Sequence, residues 1–116
     1  MSVLADRDLA LLGKVCQAAR SVAAVHADDV DRRARFPIET ITALREARAL
    51  SALVPEAFGG GGAPLESIAQ ACFELARRCS ASAMVFAMHQ IQVATIVRHL
   101  DAVPWFESYL RELCAE

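Results

Sequence analysis

The sequence predicts an all-α fold, a bundle of five or six helices forming a single domain over residues 1–116. Three observations predict it. Apolar residues recur at three- and four-residue spacing along almost the whole chain, the period of helices with one buried face. No stretch alternates apolar and polar residues as a half-buried strand does, and Ala52, Leu53 and Val54 are too few to build a sheet. Finally, Pro37, Pro55, Pro64 and Pro104 fall where the helical pattern stops or restarts.

The first helix is expected from Ala5 to about Asp29, with Leu12, Val15, Ala19, Val22 and His26 along one stripe. Asp6 and Asp8 lie near its N-terminus, where negative charge suits the helix dipole. Asp28 to Arg35 reads as a frayed end and linker. Its Arg32, Arg33 and Arg35 are offset by Asp28, Asp29 and Asp31, which favours a solvated helix end over a phosphate or acidic-partner site. The second helix is expected from about Pro37 to Ala49: Pro37 fits a first helical turn, where its missing N–H would be unpaired anyway. Ile38, Ile41 and Leu44 share one of its faces. Pro55 then keeps Val54 extended, and the glycine run Gly59 to Gly62 excludes a helix from the loop Glu56 to Ala63.

The third helix begins near Pro64 and Leu65, with Glu66 in its first turn and Ile68, Cys72, Leu75 and Cys79 as its buried stripe. A break follows near Ser80 to Ser82, since serine often caps the next helix. The fourth helix covers Ala83 to about Leu100 and is apolar around much of its circumference, the pattern of a helix buried from several sides. The last, shorter helix starts after Pro104 and carries Trp105, Phe106, Tyr109, Leu110 and Leu113.

Composition narrows the function classes. A hydrophobic fraction of 55% is high for a small domain, so apolar surface should remain for a partner. The net charge of −2 gives no basic face for nucleic acid. Cys16, Cys72, Cys79 and Cys114 have no zinc or redox spacing and read as structural thiols. No charged, apolar leader opens the chain. The stretch Ala83 to Val97, which contains His89, Gln90 and Gln92, falls short of the about 20 residues of a membrane span. A cytoplasmic protein without membrane insertion is expected.

The residues on their own assemble no catalytic set. The glycine run lacks the Gly-Lys-Ser/Thr of a phosphate loop and follows no strand, so it reads as a structural turn. His26, His89 and His99 are too dispersed to share a metal, and none is expected. His89, on the most apolar helix, is either a core histidine with one satisfied hydrogen bond or a polar residue facing a ligand pocket. Glu39, Glu46, Glu56, Glu66 and Glu74 all sit at positions expected to be solvated.

The order of parts is more telling. Phe36-Pro37, Leu44-Arg45-Glu46, Val54-Pro55-Glu56 and Gly59-Gly60 with Gly62 come first. Glu74-Leu75-Ala76-Arg77, Cys79-Ser80-Ala81-Ser82-Ala83 and Trp105-Phe106-x-x-Tyr109-Leu110 follow. Over residues 36–114, and more weakly over the first helix, this resembles the N-terminal helical domain of acyl-CoA dehydrogenase flavoproteins. One departure is Arg48, where the family often has glycine at the end of the second helix. It should weaken a left-handed helix stop, so that a turn through Ala49-Leu50 replaces it.

In that family the N-terminal domain packs against a central β-domain and a C-terminal helical domain. FAD sits mainly between those two, and the glutamate base lies beyond the N-terminal domain. The resemblance therefore implies a chain that lacks both other domains, holds no FAD alone and carries no catalytic residue. It would be inactive as a fragment, with its cofactor-binding residues unknown. Its role would be to wall the acyl-CoA pocket, where Ala83, Met84, Ala87 and Ile91 match family positions and His89 lies on the same helix. Ala83, Ala87 and Ile91 are also four apart and share a face. The reaction implied is α,β-dehydrogenation of acyl-CoA thioesters, by a homo-oligomer or with a partner that supplies the missing domains. A flavin-dependent monooxygenase of the same fold is the alternative enzyme, kept open by His89. A non-enzymatic helical interaction module, using the spare apolar face, is the alternative outside enzymology.

Overall fold

In the computed structural model, which describes residues 6–116, α1 (Asp6–Ala18) runs through a wide π-helical turn (Ala19–Ala23) into α2 (Ala24–Arg33). The expected helix start at Ala5 lies outside the described residues. The π turn has a packing logic. Val15, Ala19 and Ala23 are spaced by four, which drifts about 40° per step on an α-helix. A wider turn absorbs that drift, and all three residues are buried.

The expected linker from Asp28 is instead helical as far as Arg33. Arg32 pairs with Asp28 at 2.8 Å and Arg33 with Asp29 at 3.1 Å, each acid one turn before its base. Ala34 ends the helix in the left-handed region (φ 50°), and the Arg35 N–H donates back to the Val30 carbonyl at 3.1 Å. Arg35 then joins the two helices. Its Nε donates to Asp29 at 2.7 Å, and its Nη1 donates to both Glu39 oxygens, at 2.8 and 2.9 Å. Glu39 is thus half-buried in an ion pair rather than solvated, and the arginine cluster is occupied by its own carboxylates.

α3 (Ile38–Glu46) is shorter than expected, with Pro37 just before it rather than inside it. It buries Thr40 and Leu44, packs Ile41 against the same core, and leaves only Ile38 of the expected face exposed. Its end corrects the expectation about Arg48. Arg48 itself is left-handed (φ 61°), with the Ala49 N–H bonded to the Leu44 carbonyl at 2.9 Å and the Arg48 N–H to the Arg45 carbonyl at 3.0 Å. That pair of hydrogen bonds is the usual glycine-type helix stop. Arginine is held in it because its Nη1 donates to the Cys114 carbonyl at 2.6 Å.

The chain from Ala49 to Val54 is a buried connection, which is unusual because its backbone polar groups need partners away from water. They find them. The Ala52 carbonyl accepts from Ala63, the Ser51 carbonyl from Gly61, and the Val54 carbonyl from Gly62. The glycines allow this close approach: a Cβ on Gly60 would collide with the Val54 carbonyl. A short 3-10 turn (Glu56–Phe58) begins the loop.

α4 (Leu65–Ala76) and α5 (Ser80–Arg98) form the main helix pair, and α6 (Pro104–Ala115) closes one end. Counting the first helix as one rod gives five, with no strand among the described residues. Cys79 does not extend the α4 stripe. It is the cap of α5: its Sγ accepts from the Ser82 N–H at 3.5 Å and the Ser82 hydroxyl at 3.3 Å, displacing the expected serine cap. One core cluster gathers Val15, Leu44, Ile68, Leu75 and Phe86; a smaller one joins Val54, Val93, Leu110 and Cys114. The four thiols are free.

α5 corrects another expectation, because it is not enclosed. Phe86, Gln90 and Val93 are buried, but Met84 is 63% and Ile91 57% exposed. By length and composition alone α5 is sufficient to cross a membrane. In this fold it is the central helix, with Phe86 in one core cluster and Val93 in the other.

Candidate functional site

An open apolar groove runs between α4 and α5. Towards the start of α5 it is lined by Phe73, Ala76, Ala83, Met84 and Ala87, with a volume near 480 Å³. Towards the end of α5 it continues past Leu65, Ile68, Ile91, Ala94 and Arg98, with about 320 Å³. Ala69, Cys72 and Ala87 border both stretches, so they form one channel. Two small side chains, Ala69 and Ala87, line it where the stretches meet and leave it open.

The structure brings Ala83, Met84, Ala87 and Ile91 together along this groove. Ala83 lies deepest and contributes to the core; Met84 and Ile91 stand open on the rim. His89 is not among the lining residues. Its Nε2 donates to the Leu50 carbonyl at 2.7 Å, on the side of α5 that faces the buried connection. Its neighbour Gln90 reinforces that clamp through Nε2 to the Ala49 carbonyl at 2.9 Å. Together they satisfy two carbonyls of the buried connection.

Sequence reasoning reached Ile91 but missed the rest of the far half of the groove. The signal was present, because the stripe Ala83–Ala87–Ile91 continues at three- and four-residue spacing to Thr95 and Arg98. The α4 wall, Leu65, Ala69 and Cys72, needed the pairing of the two helices. Burial pushes the Cys72 thiol up, leaving it a neutral wall group. The Cys114 thiol is likewise raised, chiefly by burial. For Cys16 burial is again the largest cause, with the Glu74 charge adding to it.

Comparison with known proteins fits this geometry. The family described as acyl-CoA dehydrogenase, N-terminal domain, matches residues 6–102. The chain belongs to the acyl-CoA dehydrogenase family. A probable FMNH2-dependent monooxygenase of Pseudomonas putida is 37% identical over 85 residues, covering 71% of this chain and 22% of that protein. A probable acyl-CoA dehydrogenase of Mycobacterium leprae is 37% identical over 68 residues, covering 59% of this chain and 18% of that protein. The chain thus spans about a fifth of the length of these relatives. No solved structure matches it.

Relatives of this kind imply a flavin, and the glycine loop is the segment of this chain to test as a cradle for its phosphates. It does not fit. The N–H groups of Gly59, Gly60, Gly61 and Gly62 donate to the carbonyls of Glu56, Pro55, Ser51 and Val54. None is left for a phosphate oxygen. A further open cavity, about 560 Å³ between the end of α2 and the start of α5, sets Asp28 and Asp31 beside Arg35 and Arg78, a poor match for an anion. No group of three potential metal ligands comes together among the described residues.

Proposed function

We propose that this chain is the substrate-side helical domain of an FAD-dependent enzyme that dehydrogenates acyl-CoA thioesters, with the α4–α5 groove as one wall of the acyl pocket. The observation that carries the reading is the alignment of Ala83, Met84, Ala87 and Ile91 along one open apolar channel. The chain's own contribution is to bind the aliphatic part and exclude water. The flavin supplies hydride acceptance when bound, and the parts that hold it belong outside the residues described. The exposed rim, including Met84, Met88 and Ile91, suits the other domains or a second copy in a homo-oligomer, and the whole would work in the cytoplasm.

The test needs the complete enzyme and a set of acyl-CoAs of different length. Replacing Ala87 with Leu narrows the channel at its midpoint. Long chains should then lose about tenfold more kcat/KM than short ones, from a few methylene contacts at roughly 0.8 kcal/mol each. Stability should hardly change, because the added carbons enter open space. Uniform loss on every substrate with a lowered Tm would assign Ala87 to the core and remove the pocket reading.

A second reading is favoured by the similarity to the Pseudomonas putida monooxygenase. In that case the complete protein would consume oxygen with reduced flavin and substrate, and acyl-CoA would not bleach a bound oxidised flavin. Absence of both activities would leave a helical interaction module.

A further inference from the structure

We propose, resting on the reading of the groove as an acyl-chain channel, that it selects chains whose far end carries an anion, recognised by Arg98. Along α5 the channel follows Ala87, Ile91, Ala94 and Arg98, residues on one helical face. From Ala87 to Arg98 this path covers about 16 Å of helix, ample for a chain of medium length. Among the described residues, Arg98 is the one charged group bordering that stretch, and no carboxylate borders it.

Arg98 is also uncommitted. Among the described residues it makes no ion pair. The other polar groups there are already engaged or of the wrong kind. The Thr95 hydroxyl donates to the Ile91 carbonyl at 2.9 Å, and the Gln90 amide nitrogen to Ala49 at 2.9 Å. The Gln90 Oε1 is buried without a partner, but it is an acceptor and offers nothing to an anion. A guanidinium at the mouth of an apolar channel is suited to bidentate capture of a carboxylate.

One effect opposes this. Arg98 occupies the last turn of α5, where the negative helix end already attracts a cation and repels an anion. That end carries about half a charge against the full charge of the guanidinium, so attraction wins, though by a reduced margin. An exposed rim arginine then gives a preference of about two- to fivefold rather than a thousandfold.

The test uses the isotope-labelled 116-residue chain, titrated by NMR with decanoate below its micelle concentration and with decanol below its solubility limit. Decanoate places a carboxylate at Arg98 with its tail towards Ala87; decanol has the same chain without charge. Decanoate should bind about two- to fivefold tighter, shift the Ile91 and Ala94 methyls, and lose that advantage as salt rises. Arg98→Gln should abolish the preference, and Arg98→Lys should retain part of it. Equal affinity of the two probes, with groove methyls shifted by both, would overturn the proposal and leave the groove reading standing. No methyl shift with either probe would overturn both. The probe comparison on the unaltered chain stands even if a variant fails to fold.

Discussion

Arg48 Nη1 donates a 2.6 Å hydrogen bond to the carbonyl of Cys114, 66 residues further along the chain. The same arginine sits in the left-handed region at the end of α3. The bond fastens the end of α6 to the helix stop and keeps arginine in a conformation that a side chain opposes by about 1–2 kcal/mol. Arg48→Gly removes the bond but also the strain, whereas Arg48→Ala removes only the bond. The alanine variant should therefore be less stable than the glycine variant by about 1 kcal/mol in urea unfolding. Equal midpoints would mean that α3 ends differently.

The glycine loop and the first helix should respond in opposite directions to alanine. A Cβ at Gly60 would meet the Val54 backbone, which cannot swing aside, so Gly60→Ala should cost at least about 2 kcal/mol. Gly13, inside α1, has open space where a Cβ would stand, with no neighbouring atom within 4 Å, and Gly13→Ala should stabilise by about 0.5–1 kcal/mol. Thermal melts of the two variants check both signs.

Acid should loosen the joint between α2 and α3. Hydrogen bonds from Arg35 hold the Asp29 and Glu39 carboxyls below their ordinary values. Carboxylates depressed in the folded state contribute stability that is complete above about pH 4, their unfolded range, and lost as pH falls through the lowered folded values. Arg35→Gln should thus lower the urea midpoint at pH 7, and the difference should shrink as pH falls below about 4. A constant difference across that range would show that Arg35 acts by packing alone.

His89 offers a control for the pocket. Since its ring serves the Leu50 carbonyl, His89→Leu should cost about 1–2 kcal/mol of stability by leaving that oxygen unpaired. The ratio of kcat/KM between long and short acyl chains in the complete enzyme should stay unchanged. A shifted ratio would put His89 back beside the substrate.

Much of the architecture was legible in the residues because it rests on local physics. Helical period located α3, α4, α5 and α6 to within a few residues. Pro37 and Pro104 marked helix starts, since a ring without an N–H is tolerated there and not in a helix interior. The family resemblance, together with the four-residue spacing of Ala83, Ala87 and Ile91, pointed to one side of α5, and an open groove runs along that side. The tertiary structure decided what depends on distant partners. Whether Arg48 could be left-handed turned on a carbonyl in α6; which way His89 faced turned on a carbonyl 39 residues earlier. The π turn, the thiol cap at Cys79 and the openness of the α5 rim likewise follow from what packs alongside. Periodicity reports that a helix has an apolar face, but not which neighbour covers it; hydrogen bonds and burial across the fold settle that.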